Sequence, residues 1–114
     1  MSYVYRHADV VRTLDGDTVE LDIDLGNKTR WRDTFRLNGI DTPERGQPGH
    51  REATIRLIDL LSNGLARVET HKPDKYGRWL VDLYIATQQG GELHVNRLLI
   101  VDGFAKEYFG GKKV

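Results

Sequence analysis

Five carboxylates, Asp15, Asp17, Glu20, Asp22 and Asp24, fall within the eleven residues of "LDGDTVELDID", Leu14 to Asp24. A second acidic turn, "DTPE", runs from Asp41 to Glu44. Two unneutralised carboxylates brought close together repel, and one takes up a proton unless a cation intervenes. Hard oxygen ligands such as Asp17 and Asp41 favour calcium or magnesium over zinc, and the backbone carbonyl of Thr42 is placed to add a third oxygen. Arg36, five residues before Asp41, and Arg78, in "DKYGR", carry guanidinium forks that match phosphate geometry and stay charged at any working pH. With a further carboxylate, Glu44, these are the parts needed to attack a phosphodiester. The positive groups offset charge on a pentacovalent transition state, and the carboxylate positions or deprotonates water. The plainer alternatives stay open: Asp-Gly and Asp-Thr-Pro are common turn formers, and arginines usually extend to water.

Other chemistries lack their residues. There are no cysteines, which removes disulfides, thiol nucleophiles and the usual structural zinc sites. Neither serine, Ser2 or Ser62, sits in G-x-S-x-G. "GGKKV" lacks the spaced glycine and hydroxyl residue of a phosphate loop. His7, His50, His71 and His94 are scattered without ligand spacing and read as structural or exposed. A calcium loop of EF-hand type starting at Asp15 fails, because Val19, Glu20 and Gly26 stand where an oxygen ligand, Gly and Glu are required.

The acidic turns need elements to hold them. Val19, Leu21, Ile23 and Leu25 alternate with Glu20, Asp22 and Asp24, the period of a strand with one buried face, so those three acids belong on the wet side. Asp15-Gly16 is a favoured hairpin dipeptide, which makes Val10 to Leu14 the partner strand. "TRWRDTFRL" alternates again, with Trp31, Asp33, Phe35 and Leu37 on one side and Arg30, Arg32, Thr34 and Arg36 on the other. In such a meander the start of the second strand and the end of the third share a rim, so Asp17 and Asp41 can meet.

After the loop "DTPERGQPG", Ala53, Leu57, Leu60 and Leu61 recur at helical spacing, and Asn63-Gly64 supplies a stop. Short strands are expected around Ala66 to Thr70 and Trp79 to Ile85, then a turn at "TQQGGE", a short helix in "VNRLLIVDG" and an extended tail "FAKEYFGGKKV" with a frayed end. Three strands, a helix and two strands predict a small, mostly antiparallel five-stranded barrel of OB type, within one domain spanning 1–114. Charged residues make up 30% and cancel to a net charge of zero, so any anionic ligand must be caught locally. The start, "MSYVYRHADVV", has no basic head followed by an apolar run, and no stretch approaches a membrane span. As written the chain is expected to be cytoplasmic and away from membranes, with export of a processed form left open.

The chain resembles the staphylococcal nuclease, or thermonuclease, family. "LDGDTVEL", "TFRLNGIDTPERGQPGHREA", "DKYGRWLVDLY" and "VNRLLIVDGFAKEY" carry the match, in the family's order, over roughly Val10 to Tyr108. The resemblance implies a mainly β, α+β SNase-like OB-fold barrel with helices. It also implies calcium-dependent hydrolysis of DNA and RNA at the 5′ P–O bond, leaving 3′-phosphate ends. Position by position, it implies Asp17 and Asp41 as calcium carboxylates with the Thr42 backbone oxygen, and Glu44 as the residue that activates or orients water. Arg36 would hold the scissile phosphate, and Arg78 would steady the transition state or the leaving oxygen. Lys75 and Tyr76 would touch a neighbouring phosphate, while Asp15 would orient the metal site from behind.

Departures are visible as well. The neutral charge predicts weaker nonspecific attraction to nucleic acid than in the strongly basic members. The loop after Glu44 is short, and the C-terminal third helix of longer members is expected to be missing. The family's aromatic pair that flanks the bound nucleotide has no clean equivalent; Tyr108 and Phe109 lie near that place, and either stacks on a base or packs. An active nuclease of low sequence specificity, monomeric and acting on single-stranded or denatured DNA and RNA, is the leading expectation. The alternatives are a noncatalytic OB-fold nucleic-acid-binding module and a protein-interaction scaffold. Loss of catalytic carboxylates or arginines would favour the former, and an exposed apolar stripe the latter.

Overall fold

The alternation at Val19, Leu21 and Ile23 is realised in a strand whose three apolar side chains have no exposed surface. The computed structural model describes residues 2–108. In chain order the elements are β1 (Ser2–Tyr5), β2 (Ala8–Asp15), β3 (Thr18–Gly26), β4 (Thr29–Leu37), β5 (Ile40–Asp41), α1 (His50–Leu60), β6 (Arg67–His71), β7 (Trp79–Ala86), β8 (Glu92–His94), α2 (Val95–Val101) and β9 (Lys106–Glu107). The main sheet has seven strands in the order β1-β6-β7-β4-β3-β2, with β8 added to β7, and β5 pairs with β9 in a separate ribbon. The architecture is therefore mainly β with two helices, an α+β arrangement of OB type.

All five expected strands are present. Two more join the main sheet: β1 lies antiparallel to β6, with Ser2 opposite His71, and β8 lies antiparallel to β7, with Tyr84 opposite His94. Glu92, expected in a turn, belongs to β8. Among the described residues no ladder joins β1 to β2, so the hydrogen-bonded path does not run around a full barrel. The β4–β7 pair is parallel, Phe35 opposite Trp79 and Leu37 opposite Val81, which requires the long crossover that contains α1 and β6.

The core forms where the apolar faces of β3, β4, β6 and β7 meet the helices. Phe35, Leu37, Ile40, Leu57, Val68, Val81, Leu83, Val95 and Leu99 are all essentially fully buried. Trp31 packs edge-on against Phe35 and Trp79 at 5.0 and 5.1 Å between ring centroids. Leu25 is exposed, because the β3–β4 hairpin runs past the core before it turns. The outer face is not simply wet. Glu20 accepts hydrogen bonds from Arg12 and Arg32 at 2.8 Å each, and Asp22 accepts one from Arg30 at 2.9 Å, so the expected acidic face is a cross-strand ladder of ion pairs.

Helix α1 buries Ala53 and Leu57, continues into a buried Leu61 at its cap, and stops before Asn63-Gly64 as expected. The β2–β3 turn is made by Gly16 and Asp17, neither with a positive φ, so it is not the left-handed hairpin that Asp-Gly usually signals. The reason for glycine is steric: a Cβ on Gly16 would lie 2.7 Å from Ala53 Cβ and 3.0 Å from Thr42 Oγ1. The turn can thus settle onto α1 and the segment after β5. No helix among the described residues is long and apolar enough to cross a membrane.

Candidate active site

Where the β2–β3 turn meets the end of β4, the backbone carbonyl of Asp17 accepts a 2.8 Å hydrogen bond from the Leu37 N–H. That bond brings the Asp17 side chain against the chain leaving β5, and Asp17 Oδ2 accepts the Thr42 N–H at 3.2 Å. The predicted meeting of Asp17 and Asp41 is realised through a third residue. Arg36 Nη2 lies 3.1 Å from Asp41 Oδ1 and 3.6 Å from Asp17 Oδ2. Arg36 occupies the polar face of β4 like Arg30 and Arg32, yet it is buried while they are exposed. Its stretch of strand lies under the turn, and the Tyr108 ring covers its guanidinium with 5.2 Å to the centroid.

The carboxylates are unequal. Burial, then the neighbouring Asp15, pushes the Asp17 carboxyl above its ordinary range, and the Thr42 N–H and Arg36 oppose this without overcoming it. Asp15 moves the other way. Burial works against its ionisation, but hydrogen bonds from the Asp17 side chain, the Asp17 N–H and Thr18 outweigh it and lower its pKa. The Asp17 N–H donates to Asp15 Oδ1 at 3.2 Å, so Asp15 braces the turn that carries Asp17. Among the described residues no group of three or more acidic or histidine side chains is gathered closely enough to hold a metal ion.

Glu44 sits at the head of a tight loop, where its N–H donates to Gln47 Oε1 at 2.8 Å and its carbonyl accepts the Gln47 N–H at 2.9 Å. His50 Nδ1 and the Pro43 carbonyl are 3.0 Å apart, which ties the loop to the start of α1. Gly49 adopts φ 91°, and a Cβ there would stand 3.3 Å from Pro43 Cγ, so glycine is needed for both conformation and space. The loop is rigidly built although short.

The 74–78 loop contributes Asp74, Lys75, Tyr76 and Arg78 to the same cleft, and sequence reasoning missed its organiser. Asp74 Oδ1 accepts the N–H groups of Tyr76 and Arg78 at 2.8 and 3.1 Å, while Asp74 Oδ2 lies 3.1 Å from Arg78 Nη2. Burial opposes ionisation of Asp74, but those backbone donors and the Arg78 charge hold its pKa below the usual range. "PDKYG" is an Asx-turn signal that would have found it. The guanidinium of Arg78 lies 5.6 Å from the Tyr76 ring centroid, and Lys75 Nζ lies 5.3 Å from it on an exposed rim.

Asp15, Asp17, Arg36, Asp41, Thr42, Glu44, Lys75, Tyr76 and Arg78, all singled out from the sequence, line one cleft of about 540 Å³. Asp74 and Tyr108 line it too, while Phe109 lies outside the described residues. Such a cleft gathers the fixed positive charges of Arg36 and Arg78 with acidic oxygens, which suits an anion held beside a cation. Outside the lining of this cleft, histidines that looked scattered come together: His71 Nε2 and His94 Nε2 each lie 2.6 Å from a carboxylate oxygen of Asp82. Asn38 donates to that same carboxylate at 3.2 Å, tying the β4–β5 connection to β7. A separation of 23 residues between the two histidines hid this from the sequence.

Fold and cleft define a class, an OB-type sheet that carries an acid-and-arginine pocket at one rim. A family profile described as "Staphylococcal nuclease homologue" matches residues 34–113. The chain belongs to this family of staphylococcal nuclease homologues and carries an SNase-like domain. Micrococcal nuclease of Shigella flexneri is 36% identical over 104 residues, which cover 88% of this chain and 57% of that protein. An uncharacterized endonuclease of Escherichia coli O157:H7 is 33% identical over 102 residues, 90% and 61% of the two chains. The thermonuclease of Staphylococcus hyicus is 32% identical over 108 residues, 88% and 58%. The chain thus spans between 57% and 61% of the length of these curated relatives.

Proposed function

We propose that the protein is a calcium-dependent nuclease that hydrolyses phosphodiester bonds of DNA and RNA with low sequence specificity, leaving 3′-phosphate ends by cleavage of the 5′ P–O bond. In this proposal residues 1–114 act as one SNase-like unit, a monomer working on single-stranded or denatured strands. The observation that carries it is the convergence of Asp17, Arg36, Asp41, Thr42, Glu44 and Arg78 on a single cleft. The names of the micrococcal nuclease and the thermonuclease among the relatives support it.

The donors at this rim are oxygens, and the Asp17 carboxyl is pushed up where Arg36 is the balancing charge, a chemistry that fits a hard divalent cation. Asp17, Asp41 and the Thr42 carbonyl would hold calcium, which when bound offsets negative charge on the phosphoryl oxygens. Arg36 grips the scissile phosphate, and Arg78, aligned by Asp74, steadies the transition state or the leaving oxygen. Glu44 orients or deprotonates the attacking water, and Lys75 and Tyr76 hold the neighbouring phosphate. Asp15 keeps the Asp17 turn in place.

Incubation with heat-denatured DNA, in calcium and then in excess chelator, tests the proposal. Substrate loss in calcium alone is expected. Binding without cleavage in both would instead identify a noncatalytic OB-fold nucleic-acid-binding module.

A further inference from the structure

Asn38 and Gly39 form the turn that joins the strand of Arg36 to the strand of Asp41, whose side chains meet at 3.1 Å. Gly39 sits at φ 76°, so the chain turns there on a residue with no side chain to steady it. The backbone of the turn is held by its neighbours. The Asn38 N–H donates to the Val81 carbonyl at 2.8 Å, and the Tyr108 N–H donates to the Gly39 carbonyl at 2.8 Å. Asn96 Nδ2 donates to the Asn38 carbonyl at 2.9 Å. The Asn38 side chain follows Arg36 at the strand period of two, and both residues line the cleft. Its amide nitrogen donates to Asp82 Oδ2 at 3.2 Å.

Asp82 is not part of the cleft lining. It stands between the core residues Val81 and Leu83 on β7, and so on the sheet face turned away from the core, yet it is buried. Its two oxygens receive three donors from three different segments: His71 on β6, His94 at the end of β8, and Asn38. The His94 ring is itself stacked on Tyr84, with 4.8 Å between centroids. Burial works against ionisation of Asp82, but hydrogen bonds from His94, His71 and Asn38 outweigh it and hold its pKa below the usual range. An ionised carboxylate only accepts, so both rings present an N–H to it and Asn38 presents its NH2. The histidines are enough to weld β6, β7 and β8 together. The bond to Asn38 leaves that sheet face and runs to the turn at the cleft, where a shift of about 1 Å in a reacting group costs on the order of a hundredfold in rate. We propose, on the basis of the phosphodiesterase function above, that Asp82 is a positioning residue for that reaction: clamped by His71 and His94, it holds the Asn38 side chain and thereby sets the placement of Arg36 and Asp41 on either side of the 38–39 turn.

The test is a double-mutant cycle on the full chain, with kcat and KM measured separately on denatured DNA at saturating calcium, below the melting temperature of every variant. Asn38→Ala and Asp82→Ala are each expected to lower kcat by about tenfold and to leave KM within about twofold of the parent. The double variant should be no slower than the slower single variant, because both substitutions cut the same tether. Melting should not follow activity: Asp82→Ala also strands two histidines and should melt well below Asn38→Ala at a similar kcat. If Asp82→Ala does not fold, His94→Leu takes its place in the cycle. Loosening the clamp should then slow the parent and have no further effect in Asn38→Ala. A parent-like kcat in folded Asn38→Ala, a loss confined to Asn38→Ala, or losses that multiply in the double variant would each make Asp82 a weld of the sheet and nothing more, with the nuclease reading intact. If the unaltered protein does not cleave denatured DNA in calcium, the phosphodiesterase reading itself falls, and this proposal with it.

Discussion

Arg36 reaches Asp41 across 3.1 Å, Nη2 to Oδ1, with the two side chains only 10% and 21% exposed. The same guanidinium is within ion-pair range of Asp17, so one arginine balances two carboxylates at the heart of the cleft. Removing one member of a buried pair leaves uncompensated charge behind, which typically costs about 3 kcal/mol or more. Arg36→Ala is therefore expected to lose stability as well as several orders of magnitude in turnover. Calcium should restore much of the lost stability and little of the activity, because a bound cation replaces the balancing charge and stabilises by mass action. Thermal melts of the variant with calcium and with chelator check this; a variant as stable as the parent in chelator would mean that the pair is not structural.

Asp17 sets a pH dependence of definite sign. Its folded-state pKa is raised, by burial and then by Asp15, so the folded form binds this proton more tightly than the unfolded form. Stability in chelator should fall as pH rises through the window from the ordinary carboxyl value of 3.8 to the raised folded value. Asp15, with its lowered pKa, contributes in the opposite sense, but below 3.8. The substitution Asp17→Asn keeps an acceptor for the Thr42 N–H and offers a donor to Asp15. This variant should therefore melt no lower than the parent at pH 7 in chelator, while losing calcium-induced stabilisation. A clear drop in its melting temperature under those conditions would refute the assignment.

Gly16 is expected to tolerate no side chain. With its Cβ 2.7 Å from Ala53 Cβ, Gly16→Ala forces the β2–β3 turn away from α1 and carries Asp15 and Asp17 with it. Overpacking of this kind costs about 1–3 kcal/mol, and the displaced aspartates should depress activity further. Adding Ala53→Gly removes the nearer clash and should recover part of the activity despite weakening the helix. Denaturant melts and rates on the single and double variants decide it; no recovery in the double variant would place the damage elsewhere.

Asp74 holds Arg78 by its backbone and its guanidinium together. Asp74→Ala is expected to lower kcat/KM by about ten- to a hundredfold, the scale of a misplaced catalytic group, and less than Arg78→Ala does. Asp74→Asn, which retains an acceptor for the Tyr76 and Arg78 amides, should fall between parent and Asp74→Ala. Hydrogen exchange at those two amides supplies a reading independent of activity: faster exchange in Asp74→Ala is required.

Strands with one buried face were legible because their alternation survives in the linear chain, as in Val19, Leu21 and Ile23, or Phe35 and Leu37. Helix α1 was legible by its spacing and its Asn63-Gly64 stop. Strands β1, β5, β8 and β9 are too short to show a period, and each exists because a neighbour supplies the other half of its ladder. Six of the site residues, Asp17, Arg36, Asp41, Thr42, Glu44 and Arg78, were named from residue type and spacing, and Asp15, Lys75 and Tyr76 came from the family resemblance, but Asp74 was overlooked because its work is done through backbone groups that a sequence does not display. His71, His94 and Asp82 were read apart for a similar reason, since three different strands bring them together.

The sequence by itself determined which side chains are apolar or charged and with what period. It therefore settled the main strands, both helices and the inventory of acids and arginines, since these depend on local backbone geometry and on which face must leave water. The tertiary structure alone decided that Arg36 sits between Asp17 and Asp41, that Asp17 rather than Asp15 is the carboxyl pushed up, and that the 74–78 loop lines the same cleft as the two acidic turns. Those outcomes depend on burial and on distances of a few ångströms between segments remote in the chain, where desolvation and Coulomb interactions compete and no single segment carries the result.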